Sequence, residues 1–291
     1  MDFWLPIPRR PDTELTNAAL IDVLLDDGPA LGPWAHRPTC EIVKSPDVRC
    51  TTTDLQFGQE MYTPSGAFSE SSPPPGRRPY AGWLYLSAAV HSSIGRESNT
   101  LLLELGVTGR PSLAEQIQTA WHALIGYPRF LGWSHQVPFE PGILISADRR
   151  QELLRAVIGS VPVLSIVPSA GVSVGNLLTA ANVGAEGRLG YGVTPPWSAA
   201  TRIRGRKVEL YAVSAAREDF IAYELVLDQT STRPSNRVSK EPFVLQYEFG
   251  FGARYGRFEM EYRGVTRTRE YTTGPTVRPT AVIGVGYRPN W

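Results

Sequence analysis

Cysteine, histidine and methionine are scarce in this chain: two, four and three residues among 291. Cys40 and Cys50 flank the segment CEIVKSPDVRC, which is too long for a C-x-x-C zinc or redox motif. The spacing suits either a small disulfide-closed loop or two unrelated thiols. An excess of charge is lacking as well. Lys+Arg 29 against Asp+Glu 28 leaves a formal +1, so no bulk field recruits nucleic acid. The opening MDFWLPIPRRPDTEL has no basic stretch followed by an apolar core, so no signal peptide is legible. Long apolar helices are missing too. The uncharged stretch from Ala156 to Ala185 is long enough to span a bilayer, but Pro162, Pro168 and its Val, Ser and Gly content exclude a membrane helix.

What the chain does have is period-two alternation, repeated along its length. In FVLQYEFGF, Phe243, Leu245, Tyr247, Phe249 and Phe251 share one face, and Gln246, Glu248 and Gly250 share the other. In RFEMEYR, Phe258, Met260 and Tyr262 oppose Glu259, Glu261 and Arg263. In FIAYELVLD, Ile221, Tyr223, Leu225 and Leu227 lie opposite Glu224. A soluble sandwich would bury the apolar face, whereas a membrane barrel turns it to lipid and its polar face to the lumen. The closing TAVIGVGYRPNW, with Ala281, Ile283, Val285, Tyr287 and Trp291 on one face, looks like the last strand of an outer-membrane barrel. Aromatics near strand ends (Tyr62, Tyr80, Trp83, Tyr85, Trp133, Tyr191 and Trp197) would form an interfacial girdle. We therefore expect an all-β, antiparallel transmembrane β-barrel of about twelve strands, a single domain over 1–291. The alternating runs number thirteen, including 1–6, 205–215 and 219–228; closed bacterial barrels are even, so one run is not a full span.

One segment breaks the pattern. SLAEQIQTAWHALIG, Ser112–Gly126, predicts a short helix. Ser112 and Glu115 form a capping-box signature after Pro111, and Gly126 is a natural stop. At ~100° per residue, Leu113, Ile117, Ala120, Trp121 and Leu124 make one apolar stripe, with Glu115, Gln118 and His122 opposite. The stripe is expected to dock on the barrel rim, leaving the polar side as the wall of a cleft. His36, His91 and His135 have no partner pattern and read as structural or solvated.

The motifs GQEMYTP, RRPYAGWLYL, LELGVTG, QTAWH, GWSHQVPFEPG and GNLLTAANVGAEGRLGYG occur in that order between Gly58 and Gly192. Together they resemble the outer-membrane lipid A deacylases, calcium-dependent 3′-O-deacylases of lipopolysaccharide. The resemblance implies a Gram-negative outer-membrane barrel whose short helix, in an extracellular-side loop, presses a His against the wall. It implies that His122 is a general base activating water, that Gln118 positions water or the ester carbonyl, and that calcium holds the oxyanion. Asp2 falls on a family Asp and would be a calcium ligand or the group orienting His122, with Met1 where an Asn is expected. Thr16 and Asn17 match the first-strand turn, with Leu15 and Ala18 replacing Tyr and Gly, and Thr16 would offer its hydroxyl to substrate or metal shell. On this reading the signal peptide and the start of the first strand are missing from the chain.

Arg77 and Arg78 would clamp lipid A phosphates. Trp133, Gln136 and Glu140 would support the site, Glu140 also as a metal ligand. The implied partners are lipopolysaccharide and outer-membrane lipids, with no nucleic acid and a monomeric state. Alternatives are a phospholipase-type esterase and a non-catalytic barrel or pore.

Overall fold

The computed structural model describes residues 15–25, 50–64, 70–72, 75–197, 207–228 and 238–287. Its strands are β1 (Leu15–Leu25), β2 (Cys50–Tyr62), β3 (Ala81–Ile94), β4 (Glu97–Thr108), β5 (Pro141–Gln151), β6 (Leu154–Ile158), β7 (Val161–Gly175), β8 (Leu178–Tyr191), β9 (Val208–Glu224), β10 (Phe243–Tyr255), β11 (Phe258–Thr268) and β12 (Val277–Tyr287). Two helices interrupt them, α1 (Ala114–Ile125) and the single turn α2 (Leu225–Asp228). The strands form one antiparallel sheet in chain order, and short β6 pairs only with β7.

The surplus predicted strand has a simple origin. Runs 205–215 and 219–228 belong to one strand, β9, whose last residues turn into α2. The predicted strand at 1–6 lies outside the described residues. The uncharged stretch 156–185 runs from the end of β6 through β7 into the first half of β8, and no helix among the described residues is long and apolar enough to cross a membrane.

Parity along each strand decides which way the sheet curls. On β10 the polar set points to the interior, where Gln246, Glu248 and Arg254 are buried. The apolar set points out, leaving Phe249 65% and Phe251 59% exposed. β12 does the same: Ile283 and Val285 are exposed on the outer surface. Charges placed in a low-dielectric interior must be paired. Arg263 reaches Glu186 (2.9 Å), Glu248 (2.8 Å) and Glu261, and Arg188 pairs with Glu186 (2.7 Å) and lies 4.5 Å over the Tyr211 ring. Polar groups inside and apolar groups outside fit lipid around the wall.

Both ends of the lumen carry packed side chains among the described residues. Towards the end that carries α1, Trp83, Tyr85, Leu144, Leu177, Ile221 and Leu225 pack into an apolar layer. At the opposite end the segment after β8 folds inward. Thr194 donates from its N–H to Glu209 (2.7 Å), Glu209 pairs with Arg254 (2.7 Å), and Val193 packs on Tyr211 and Val213. The expected girdle is therefore redistributed. Tyr62, Tyr80, Trp83, Trp133 and Trp197 are all buried, because they fill the mouths and seat α1. Among the described residues the outer-surface aromatic pairs are instead Phe220–Phe243, Phe251–Tyr262 and Phe258–Tyr287, with ring centroids 5.3 Å, 5.5 Å and 5.0 Å apart.

Candidate active site under α1

The segment 109–140 lies between β4 and β5, and its helix α1 is seated on the outer face of the wall. The parity of β2 and β3 shows this. Asp54, Gln56, Ser87 and His91 bond to one another inside the barrel, so the alternate residues point outward. Among those outward positions are Gln59, Met61 and Gly82. Gln59 donates its amide to the Ser112 carbonyl. Met61 joins Tyr80, Ala114, Phe130 and Trp133 in a buried cluster. A Cβ on Gly82 would lie 2.1 Å from Ser112 Oγ and 2.4 Å from the Ala114 Cβ, so only glycine lets the segment approach this closely.

That close approach also rewrites the helix start. Ser112 does not cap α1: it ends a 3-10 turn, is fully buried, and donates its hydroxyl to the Gly109 carbonyl (2.6 Å). The N-cap is Leu113, in the left-handed region at φ 58° with no side-chain cap. The stop matches expectation: Gly126 is left-handed at φ 70°.

The orientation of α1 differs from the expectation for its apolar stripe. Ala114, Gln118 and His122 face the wall and are buried, while Leu113, Ile117, Trp121 and Leu124 are exposed. Among the described residues the stripe docks on nothing, because the wall at this point offers Gly82, Gln59 and Met61 rather than a broad apolar groove. Glu115 parts company with Gln118 and His122 and pairs at the surface with Arg129 (3.0 Å).

His122 is held firmly. Its Nδ1 lies 2.7 Å from the Pro128 carbonyl, and its ring packs edge-on to Tyr127 (5.0 Å) and against Phe130 (5.5 Å). A carbonyl oxygen can only accept, so Nδ1 carries the proton and the neutral ring keeps its lone pair on Nε2. Gln118, one turn earlier, is fixed by the Trp133 indole, whose N–H donates to Oε1 (2.8 Å). Its amide nitrogen is buried with no partner among the described residues. An acceptor-competent imidazole and a buried, unspent amide donor thus stand on one helix face. The Trp133–Gln118 bond is a link that sequence reasoning could not specify, since it joins positions across a loop.

The remaining candidates are dispersed. Thr16 is the unpaired residue of a bulge at the start of β1, between the Leu15–Tyr62 and Asn17–Met61 pairs, so its backbone lies where Met61 supports α1. Asp2 lies outside the described residues. Arg77 is half-buried at the rim, but Arg78 is fully buried, 3.9 Å from Glu270 and with its guanidinium 4.8 Å from the Tyr62 ring centroid. Glu140 stands beside Asn176 (3.5 Å), and burial raises its carboxyl above the ordinary range. Among the described residues no three His, Cys, Asp or Glu stand close enough to hold a metal ion. The described carboxylates therefore do not make a calcium site alone; Glu140 would supply one oxygen, with the rest of the shell drawn from other oxygen donors.

The chain matches no curated protein. A solved structure, LpxR from Salmonella typhimurium, is similar over 82% of this chain and 83% of its own, with a TM-score of 0.74 at 18% identity. That likeness extends to the fold. Residues 8–288 match the family model described as outer membrane protein LpxR. The chain therefore belongs to the LpxR family of outer membrane proteins.

Proposed function

We propose that the protein is a lipid A 3′-O-deacylase, hydrolysing an ester-linked acyl chain of lipopolysaccharide. The observation that carries the reading is the buried pair under α1: His122, with its tautomer set by Pro128, and Gln118, with its amide N–H groups unspent. His122 Nε2 takes a proton from water as the oxygen attacks the ester carbonyl carbon. The carbonyl electrons move to oxygen, where the Gln118 amide N–H donates to the developing charge. When the intermediate collapses, the C–O bond breaks, and the imidazolium returns its proton to the departing sugar oxygen, which leaves as a hydroxyl while the fatty acid is released.

On the family likeness, Thr16 would offer its hydroxyl to the substrate or the metal shell, and Arg77 would meet a phosphate at the rim. Arg78, paired inside, is not part of that clamp. Calcium dependence, with Asp2 and Glu140 as oxygen donors, is the portion resting on family likeness alone. Chelation with EDTA should abolish hydrolysis, and added calcium should restore it.

The test is mass spectrometry of lipid A and phospholipids after incubation with the purified protein. Loss of the 3′ acyl group from lipid A is expected, and His122→Ala should lower the rate at least ~100-fold. Cleavage of phospholipid alone would replace the substrate assignment, and unchanged activity in the variant would remove His122 from the mechanism.

A further inference from the structure

We propose that α1 is a lipid anchor, its outer face seated among the acyl chains of the leaflet at its end of the barrel. The argument starts from where the helix lies. Gly82 and Met61, on which its segment packs, belong to the same outward parity as Phe57 and Leu86. Those two side chains are 49% and 63% exposed on the outer surface of the wall, so α1 sits on the lipid side of the barrel. Of its polar residues, Gln118 and His122 are buried against the wall, and Glu115 pairs with Arg129 at the flank. The face turned away holds Leu113, Ile117, Trp121 and Leu124, with Trp121 51% and Leu124 77% exposed.

A helix that meets water on its outer side carries mostly polar residues there, whereas here a single exposed polar residue, Gln116, stands among Ile117, Ala120, Trp121 and Leu124. The apolar surface runs on from the lipid-facing band of β2 and β3, and this continuity selects acyl chains as the occupant. A helix lying in the interface buries its apolar face about 5–10 Å below the headgroup level, the depth of an ester-linked chain's first carbons. The inference needs only the outer-membrane fold, so it stands or falls separately from the hydrolase reading.

The experiment uses the full chain in phosphatidylcholine vesicles. The emission of Trp121 is isolated as the difference between the wild type and Trp121→Phe, since the chain has seven tryptophans. Lipids brominated near the headgroup end of the acyl chain should quench this difference by about half or more, and aqueous acrylamide should quench little. A second reporter, Leu124→Trp in the Trp121→Phe background, should behave alike and covers failure of either variant to fold. Difference emission quenched by acrylamide and untouched by bromolipid would overturn the proposal. So would emission shielded from both in a particle with the mass of a dimer, which would make the face a contact between copies.

Discussion

Replacing Gly82 by alanine is the most direct way to ask whether the seat of α1 sets the chemistry. The added methyl would start 2.4 Å from the Ala114 Cβ and 2.1 Å from Ser112 Oγ, where ordinary contact begins near 3.4 Å. Ser112 cannot simply rotate away without giving up its hydroxyl bond to Gly109, and its carbonyl is held by Gln59. The first turn of α1 must therefore lift from the wall by about 1 Å, carrying Gln118 and His122 with it. Overpacking of this kind costs about 1–3 kcal/mol locally. A displacement of about 1 Å at a reacting group costs on the order of 100-fold in rate. Gly82→Ala should thus retain the barrel's circular dichroism and melting temperature, while kcat/KM for lipid A deacylation falls about 100-fold. Gly264→Ala is the control, because a Cβ there meets its nearest atom at 3.7 Å and should be silent. Wild-type activity in Gly82→Ala, with the protein folded, would refute the idea that close apposition of α1 to the wall positions the site.

Other substitutions test the surrounding residues. Trp133→Phe keeps most of the packing but leaves the Gln118 carbonyl oxygen unpaired, worth about 1–3 kcal/mol; kcat should drop about 10-fold with KM little changed, and a drop equal to that of His122→Ala would speak against so limited a role. Arg77 and Arg78 should separate cleanly. Arg78→Ala removes a buried charge from beside Glu270 and should destabilise the fold by about 3–5 kcal/mol in a denaturant titration, whereas Arg77→Ala should leave stability alone and raise KM. Burial pushes the Tyr80 phenol from 10.0 to about 12, with Gly132 opposing and Glu70 assisting. Ionisation is thus harder in the folded state, so Tyr80's contribution is complete below pH 10 and is lost as pH rises through about 12. Melting curves of Tyr80→Phe should lose that portion of the alkaline destabilisation.

Alternation determined which residues of β10, β11 and β12 share a face, because successive side chains of a strand must point to opposite sides, and the closing strand with its aromatics pointed the apolar face to lipid. Glycine punctuation at Gly126 likewise marked the end of α1, since few other residues adopt its φ. The motif order named the family, and QTAWH placed Gln118 and His122 on one helix face. Periodicity could not say which face of α1 meets the protein. An amphipathic stripe normally turns inward, and here it turns outward, because the surroundings of this helix include lipid and its support is a glycine, a methionine and a glutamine on a curved wall. The capping box failed for a related reason: Ser112 is consumed by contact with Gly82, a residue thirty positions away in the chain. Arg77 and Arg78 look equivalent in sequence, and only the turn into β3 sends one to the rim and the other into the interior. Local rules fix which faces a segment has. What each face meets is decided by the curled sheet, because that is where distant residues and two solvents compete for it.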